Sequence, residues 1–459
     1  MSNENRILEL TKVDTEFKRE MGLFSAVSII AGIMIGSGIF FIGTFVLQRS
    51  HNAPGFSLLV WLAGGVVSLL AGLCYAELGA AMPRSGGAYI YLREAYGPLV
   101  AFLSGWTMFW VAGSGSIAAL AVGLGTYFSA LYPLSSIAIK IFAIAIIIFL
   151  TAINCLGIKF GSLIQNIFMV GKLVPILIII VLGLALGTQH NSMTLSPGTG
   201  NFTGIFAVAL IASLWAYEGW TNLNTVAEEI KNPRKNLPLA IIIAITGVTA
   251  IYILFNYALL RVLPASVIAS DAKPGATAAI SLLGSAGGVL VTIGAFLSIF
   301  GSCNGCVLTF PRLYYAMAKD GLFFKWFENI HPEHKTPIPA LIASAVVSIL
   351  LIFTGSFQQL TTMVVFSQWI FYILAICSVF ILRKKYPKME RPYKVWGYPV
   401  LPILVIIVSS FILINTLFED LHSSLIGLLV PLIGIPVYYI FKNKMIKSNK
   451  VEKDTEKIL

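Results

Sequence analysis

Apolar residues in this chain gather in long runs separated by short polar stretches, and they do not alternate with polar ones at the period of a strand or of a surface helix. A run of about 18 or more mostly apolar residues is long enough to cross the hydrocarbon core of a bilayer as a helix. Twelve such runs predict spans at 23–46, 57–81, 98–127, 137–154, 162–187, 204–223, 239–262, 286–311, 338–355, 360–382, 400–418 and 424–441. Two connections carry more pattern than a linker needs. The segment Pro83-Arg84-Ser85-Gly86-Gly87-Ala88-Tyr89 leads into Tyr91, Arg93, Glu94 and Tyr96 and stops at Gly97-Pro98, which predicts a short interfacial helix. The segment from Arg312 to Pro339 holds Phe323, Phe324, Trp326 and Phe327, aromatic residues that belong at headgroup level. Simple interface anchoring and a gating role both fit these two connections.

Composition sharpens this picture. Of 459 residues, 57% are apolar and 11% charged, whereas about a quarter of an ordinary soluble domain is charged. A soluble globular protein is excluded, and the roughly three domains that length alone suggests give way to one polytopic bundle. The net charge of +11 lies in loops and tails without interleaved aromatics, so it points to lipid headgroups and not to nucleic acid. Of the 31 lysines and arginines, 26 fall on one side if both termini are cytoplasmic. Four, Arg49, Lys140, Arg261 and Lys273, fall on the other side, and Lys172 lies inside a span. Cytoplasmic loops retain positive charge, so this asymmetry orients the chain in a cell membrane with both ends inside. The polar residues 1–22 read as a cytoplasmic tail, not a cleaved signal, and 442–459 as a basic one.

Lipid offers no partner to an unpaired backbone group, so a helix breaks at membrane depth only where it lines a cavity. The first span contains Gly32-Ile33-Met34-Ile35-Gly36-Ser37-Gly38-Ile39-Phe40, and the sixth Ser213-Leu214-Trp215-Ala216-Tyr217-Glu218-Gly219-Trp220. They are five spans apart, the offset expected if spans one to five (23–187) and six to ten (204–382) are inverted repeats whose broken first helices meet at the midplane. The two remaining spans, 400–441, are then peripheral. An interrupted helix exposes N–H groups and a positive dipole end that suit a carboxylate, while freed carbonyls suit an ammonium group. An α-amino acid could therefore be held by main chain alone. The carboxylate is assigned to N–H groups around Ser37 and Gly38, and the ammonium to carbonyls near Met34 and Trp215. Close helix packing through small residues is the structural alternative for Gly36-Ser37-Gly38.

The string Gly36-Ser37-Gly38-Ile39-Phe40, the loop Pro83 to Tyr89, the run Trp215-Ala216-Tyr217-Glu218-Gly219-Trp220, the sequence Glu228-Glu229-Ile230-Lys231-Asn232-Pro233 and the later Tyr315-Ala316-Met317-Ala318-Lys319-Asp320-Gly321 resemble the L-amino-acid transporter branch of the amino acid–polyamine–organocation superfamily. The resemblance covers ten spans. It implies an all-α, leucine-transporter-like fold of ten core helices plus two peripheral ones, working by alternating access as an amino acid exchanger. It further implies that Trp215 stands where that family has an aromatic gate, normally phenylalanine, and that Tyr252 is a substrate-proximal hydroxyl. Read by itself, Tyr252 is more often core, and with Asn256 one turn on it shares a helix face.

Lys172 lies about ten residues into the fifth span, about 15 Å along a helix from its end and too deep to snorkel easily. An intramembrane lysine usually pairs near a substrate or ion path. By resemblance, its ammonium stands where sodium-coupled relatives hold a sodium ion, which would bridge Lys172 to Gly32 and Ile33 and to Ser298 or Ser302. Glu218 departs from the glycine or small residue of many neutral-amino-acid members. It either pairs with a cationic substrate, faces a wet vestibule or bonds another side chain. Glu77, near the end of the second span, is expected to pair with a loop arginine. Trp106, Trp110, Gly113 and Gly115 in the third span read mainly as packing, with part of that face on the cavity.

The five cysteines imply no disulfide framework, and Cys303-x-x-Cys306 inside an apolar span reads as packing. Gly171-Lys172 is followed by Leu173, so no phosphate-binding loop is present, and the five histidines form no metal cluster in sequence. No cofactor is expected, and no enzymatic constellation is visible. The loop from Tyr127 to Ser136 lacks the cysteine with which animal members join a glycoprotein subunit, so the resemblance implies a bacterial-type transporter without that partner. The leading expectation is a sodium-independent exchanger of small neutral L-amino acids, with Trp215 favouring a compact pocket for alanine, serine, threonine or cysteine. The alternatives are a proton-coupled or cationic amino acid carrier and, from another class, a membrane-embedded sensor.

Overall fold

The computed structural model describes residues 3–11, 15–36, 38–129, 132–198, 202–271, 273–354, 357–419 and 421–456. The architecture is all-helical. A tail helix α1 (Asn3–Thr11) precedes a first span split into α2 (Leu23–Met34) and α3 (Gly38–Arg49). Then come α4 (Pro54–Ala81), the short α5 (Ala88–Tyr96), and α6 (Pro98–Thr107), which runs through a π-helical turn at Met108–Ala112 into α7 (Gly113–Phe128). Next are α8 (Ser136–Cys155), α9 (Ile158–Leu186) and α10 (Phe202–Ala216), which gives way after a turn to a 3₁₀ stretch at Trp220–Glu229. The second half follows with α11 (Pro233–Val262), α12 (Ala265–Ser270), α13 (Pro274–Leu283), α14 (Ser285–Thr309), α15 (Pro311–Lys319), α16 (Ile338–Leu351), α17 (Phe357–Lys385), α18 (Val400–Glu419) and α19 (Leu421–Glu456).

Eight helical segments among the described residues are long and apolar enough to cross a membrane. The short helix expected after Gly87 is α5. The connection after Arg312 holds α15 and a 3₁₀ turn at Lys325–Glu328, where Phe327 meets Trp326 edge-on and Phe323 at a tilt. The tail helix α1 was not anticipated, nor were α12 and α13, which lie in what read as a plain connector between the seventh and eighth spans. Their weak signal has a simple cause, since each is shorter than a crossing and the pair is cut by Pro264 and Pro274.

The side chains of α9 show why this bundle suits lipid. Phe160, Leu163, Ile167, Val170, Val174, Leu177 and Val181 are exposed at three- and four-residue spacing, while Gln165 and Lys172 are fully buried. Apolar groups face outward and polar groups inward, the reverse of a soluble helix. On α8 the exposed face is likewise Ile137, Ile141, Ile148 and Phe149.

One end of the bundle is tied together by charge. Glu77 at the end of α4 receives Arg383 at 2.6 Å, the loop residue Arg391 at 3.5 Å and the Val395 N–H at 2.7 Å. Arg93 pairs with Asp320, and Glu94 with Arg6 of the tail helix. The tail then crosses this face. Thr15 donates to Glu228, Glu16 receives Lys319, and Met21 exchanges backbone hydrogen bonds with the 229–231 segment. Beneath it, Arg312 meets Glu229 at 2.7 Å, the two side chains 1% and 0% exposed.

Removing one partner of a pair so buried leaves a charge without compensation, which costs about 3–5 kcal/mol. Glu229→Ala is therefore expected to unfold in detergent well below the wild-type temperature, whereas Lys388→Ala, which cuts an exposed pair with Glu4, should leave that temperature unchanged. The tail carries a pH dependence. The hydrogen bond from Lys319 holds the Glu16 carboxyl below the ordinary carboxylate range. Because the docked value is the lower one, the contact contributes fully above the ordinary range, about pH 4, and is lost as pH falls through the lowered value. A nitroxide at the exposed Leu8 should gain mobility on acidification, and Glu16→Gln should show much of that gain at neutral pH.

Candidate functional site

The first and sixth spans break where glycines and turns permit it. After Met34 the chain leaves the helix at Ile35, with φ −76° and ψ 77°, and resumes at Gly38. Ser37, assigned above to the carboxylate, lies outside the described residues. In the sixth span the turn is 217–219, and Gly219 sits at φ +123°. That conformation favours glycine, and a Cβ there would also come 2.5 Å from Ile33 Cγ2 of the other broken span. The α2 segment packs on the 3₁₀ stretch at 220–229, and α3 packs on α10. The two interrupted spans therefore run antiparallel, break against break.

Each carbonyl freed at the first break meets a side chain from elsewhere in the bundle. Lys172 on α9 is fully buried, and its three ammonium protons have three acceptors: Gly32 O and Ile35 O at 2.6 Å each, and Ser298 O at 3.0 Å. The carbonyl of Ile33 is met by Ser302 Oγ at 3.1 Å. Ser302 Oγ also reaches Gly32 O, and Ser298 Oγ lies 2.7 Å from Ile35 O and 3.0 Å from Gly36 O. Beneath Lys172, Gln165 donates to Ser28 O and receives Asn304, which in turn receives Asn154. A Cβ on Gly32 would fall 2.1 Å from Gln165 Nε2, so a larger residue there would displace the Gln165 amide from Ser28 O.

Across the break, Tyr252 Oη sits 2.7 Å from Met34 O and 2.8 Å from Ala216 O. One hydroxyl thus touches both broken spans. Its ring packs edge-on with Trp61 and Tyr217, and Tyr217 itself donates to Trp61 O at 2.8 Å. Asn256, one turn on, donates to Tyr252 O.

The breaks flank a cavity of about 100 Å³. Of the residues named from sequence, Ile33, Met34, Gly36, Gly38, Trp215, Ala216, Glu218, Gly219 and Ser302 line it. Gly32, Ile35, Lys172, Tyr217, Tyr252, Asn256 and Ser298 are not on its wall; of these, the side chains of Lys172, Tyr252 and Ser298 bond the main chain of the breaks. The wall also includes Ser116, Ala119 and Leu120 of α7, Asn222, Cys306, Phe310, Val364 and Gln368. A glutamine inside an apolar span was the available signal for Gln368, and Ser116 continues the small-residue face of Gly113 and Gly115. Glu218 bonds Tyr372 on α17, and the residue is part of the cavity wall. A second cavity, of about 40 Å³, lies next to the first and shares Asn222 and Gln368 with it.

Apolar helices on the outside, two antiparallel interrupted helices within, and an internal cavity between their breaks define a multi-pass membrane carrier. The chain belongs to the amino acid permease family, whose sequence model matches residues 21–437. It is 38% identical to the serine/threonine exchanger SteT of Bacillus subtilis (strain 168) over 434 residues, covering 94% of this chain and 98% of that one. It is 36% identical to the human b(0,+)-type amino acid transporter 1, over 93% and 88% of the two chains. It is 34% identical to the human large neutral amino acids transporter small subunit 2, over 92% and 80%. These relatives are transporters, not enzymes.

Lys172→Ala removes the ammonium donor from two carbonyls at the first break, Gly32 O and Ile35 O, and from Ser298 O on α14, leaving them to the hydroxyls of Ser298 and Ser302; each hydrogen bond to a charged group lost in this way costs about 1.5–3 kcal/mol. The expected outcome is a protein that remains helical by circular dichroism but loses the thermal stabilisation that amino acids confer on the wild type.

Proposed function

We propose that this protein is a sodium-independent exchanger of small neutral L-amino acids that works by alternating access in the cell membrane. The observation that carries the reading is the meeting of two helix breaks over one cavity. N–H groups around Gly38 would take the substrate carboxylate, while main-chain carbonyls at Met34 and near Trp215 and Ala216 would take its ammonium. The eight long apolar segments, the broken first span and the shorter apolar helices at 338–351, 400–415 and 427–443 add up to twelve crossings, as the 5+5 inverted repeat with two peripheral helices requires. The lysine and arginine asymmetry places both termini in the cytoplasm.

Independence from sodium rests on Lys172. Its ammonium fills a cage of three carbonyls contributed by the first break and α14, the kind of donor set that would otherwise hold a monovalent cation. Small substrates are favoured by volume. The cavity of about 100 Å³ is small, and Trp215 is part of its wall. A name among the relatives, serine/threonine exchanger, agrees with that size. The absence of cysteine in the 127–136 loop favours function without a disulfide-linked subunit. A second reading, a carrier of dibasic amino acids, is favoured by an acidic residue, Glu218, in the cavity wall.

Radiolabelled uptake into proteoliposomes tests this. Serine, threonine or alanine should accumulate only when unlabelled amino acid is preloaded, at the same rate with and without sodium. Equal uptake into empty vesicles would rule out exchange, and a sodium requirement would rule out the role given to Lys172. Arginine uptake that disappears in Glu218→Gln would establish the dibasic reading instead.

A further inference from the structure

The surroundings of Glu218 pose a problem of proton counting. Tyr372 Oη lies in short contact with Glu218 Oε1, 3.1 Å from Gln368 Oε1 and 3.2 Å from Thr221 Oγ1. A phenol carries one proton. If it donates to an ionised Glu218, the carbonyl oxygen of Gln368 faces the phenol oxygen lone pair to lone pair. If it donates to Gln368, the carboxylate is left in the same position. Turning the Gln368 amide over removes the conflict, but only by leaving an ionised carboxylate at membrane depth with no cation beside it, since no lysine, arginine or histidine acts on Glu218 among the described residues.

One added proton resolves every contact. A carboxyl O–H on Glu218 donates to Tyr372 Oη, the phenol donates onward to Gln368 Oε1, and Thr221 Oγ1 is free to donate to the phenol or to Asn222 Oδ1 at 3.4 Å. The remaining carboxyl oxygen can still accept the Gly219 N–H. The other titratable groups facing Glu218 are the Tyr75 phenol on α4, whose ring meets that of Tyr372 edge-on, and the Cys306 thiol on α14. Neither is a cation at neutral pH. A small cavity adjoins the site: about 40 Å³ in volume, it is lined by Tyr372, Gln368 and Thr221 and by Thr107, Thr225 and Ser367. It has the volume of about one water with several polar partners.

We propose that Glu218, Tyr372 and Gln368 form a proton-binding site, and that in this conformation Glu218 holds the proton. A neutral Glu218 presents no charge to the substrate cavity. This deepens the transport reading, and its kinetic consequence rests on that reading, but the occupancy of the site does not.

Two measurements on the full-length protein in liposomes separate the cases. Infrared difference spectra of wild type against Glu218→Gln should show, at neutral pH, the carbonyl stretch of a protonated carboxyl that moves in D2O, present only in the wild type. In Tyr372→Phe, which keeps the carboxyl but removes its partner, the band should shift. Loss of the band on raising pH completes the titration. A wild type without this band at neutral pH overturns the proposal. In serine–serine exchange, the wild-type rate should fall on the alkaline side by about tenfold per pH unit, following the protonated fraction. Glu218→Gln, an isostere of the protonated form, should be flat over that range. If no variant exchanges any amino acid, the transport reading fails, while the infrared band still decides the proton site.

Discussion

Backbone carbonyls and N–H groups released inside a membrane must find partners within the protein, because lipid supplies none. The whole site follows from that requirement. The break at Ile35 frees carbonyls that a continuous helix would have paired, and α9, α11 and α14 are held against it by the side chains that replace those bonds. Lys172 supplies three donors to three carbonyls, while Tyr252, Ser298 and Ser302 each lie within reach of more than one. A hydroxyl has one proton, so where it meets two carbonyls one of them stays available. A substrate ammonium is the kind of group that could satisfy it.

The same economy of donors governs the two halves of the molecule. Because α2 lies on the 220–229 stretch and α3 on α10, each broken span is supported by the other's unbroken arm. Gly219 is pinned between them, with Ile33 too close for any side chain. Tyr252 touches a carbonyl of each break, so movement of one arm is transmitted to the other through a residue that is not on the cavity wall. The Asn154–Asn304–Gln165 chain anchors the α2 arm to α8, α9 and α14 in the same way.

The charged end of the bundle adds a second layer. Glu77, Glu94 and Glu229 are each nearly or wholly buried and each meets arginine. Such pairs add little net stability over apolar packing but penalise any arrangement that separates them. They define one closed arrangement of α4, α5, α15 and α17, over which the tail is laid. A carrier that opens on this face must exchange these contacts for water, where the penalty of separation is small.

The long spans were legible because membrane thickness dictates a minimum apolar length, and the breaks because glycine, serine and an acid are conspicuous inside such runs. Lys172 stood out for the same reason. The short helices α12 and α13 left too few residues for a periodic signal. What the order of residues could not express is which face each polar group turns to. Tyr252, core when read by itself and substrate-proximal by resemblance, is with Asn256 absent from the cavity wall, whereas Gln368 and Ser116, far apart in the chain, lie on it. Glu77 was expected to meet a loop arginine and has one in Arg391, but the shorter contact is with Arg383 at a helix end. The sequence by itself determined that the chain is a membrane bundle with two weak points, because apolar length and helix-breaking residues act locally. Only the tertiary structure decided which donors reach the freed carbonyls and how many protons the Glu218 cluster needs, because those depend on distances between helices remote in the chain.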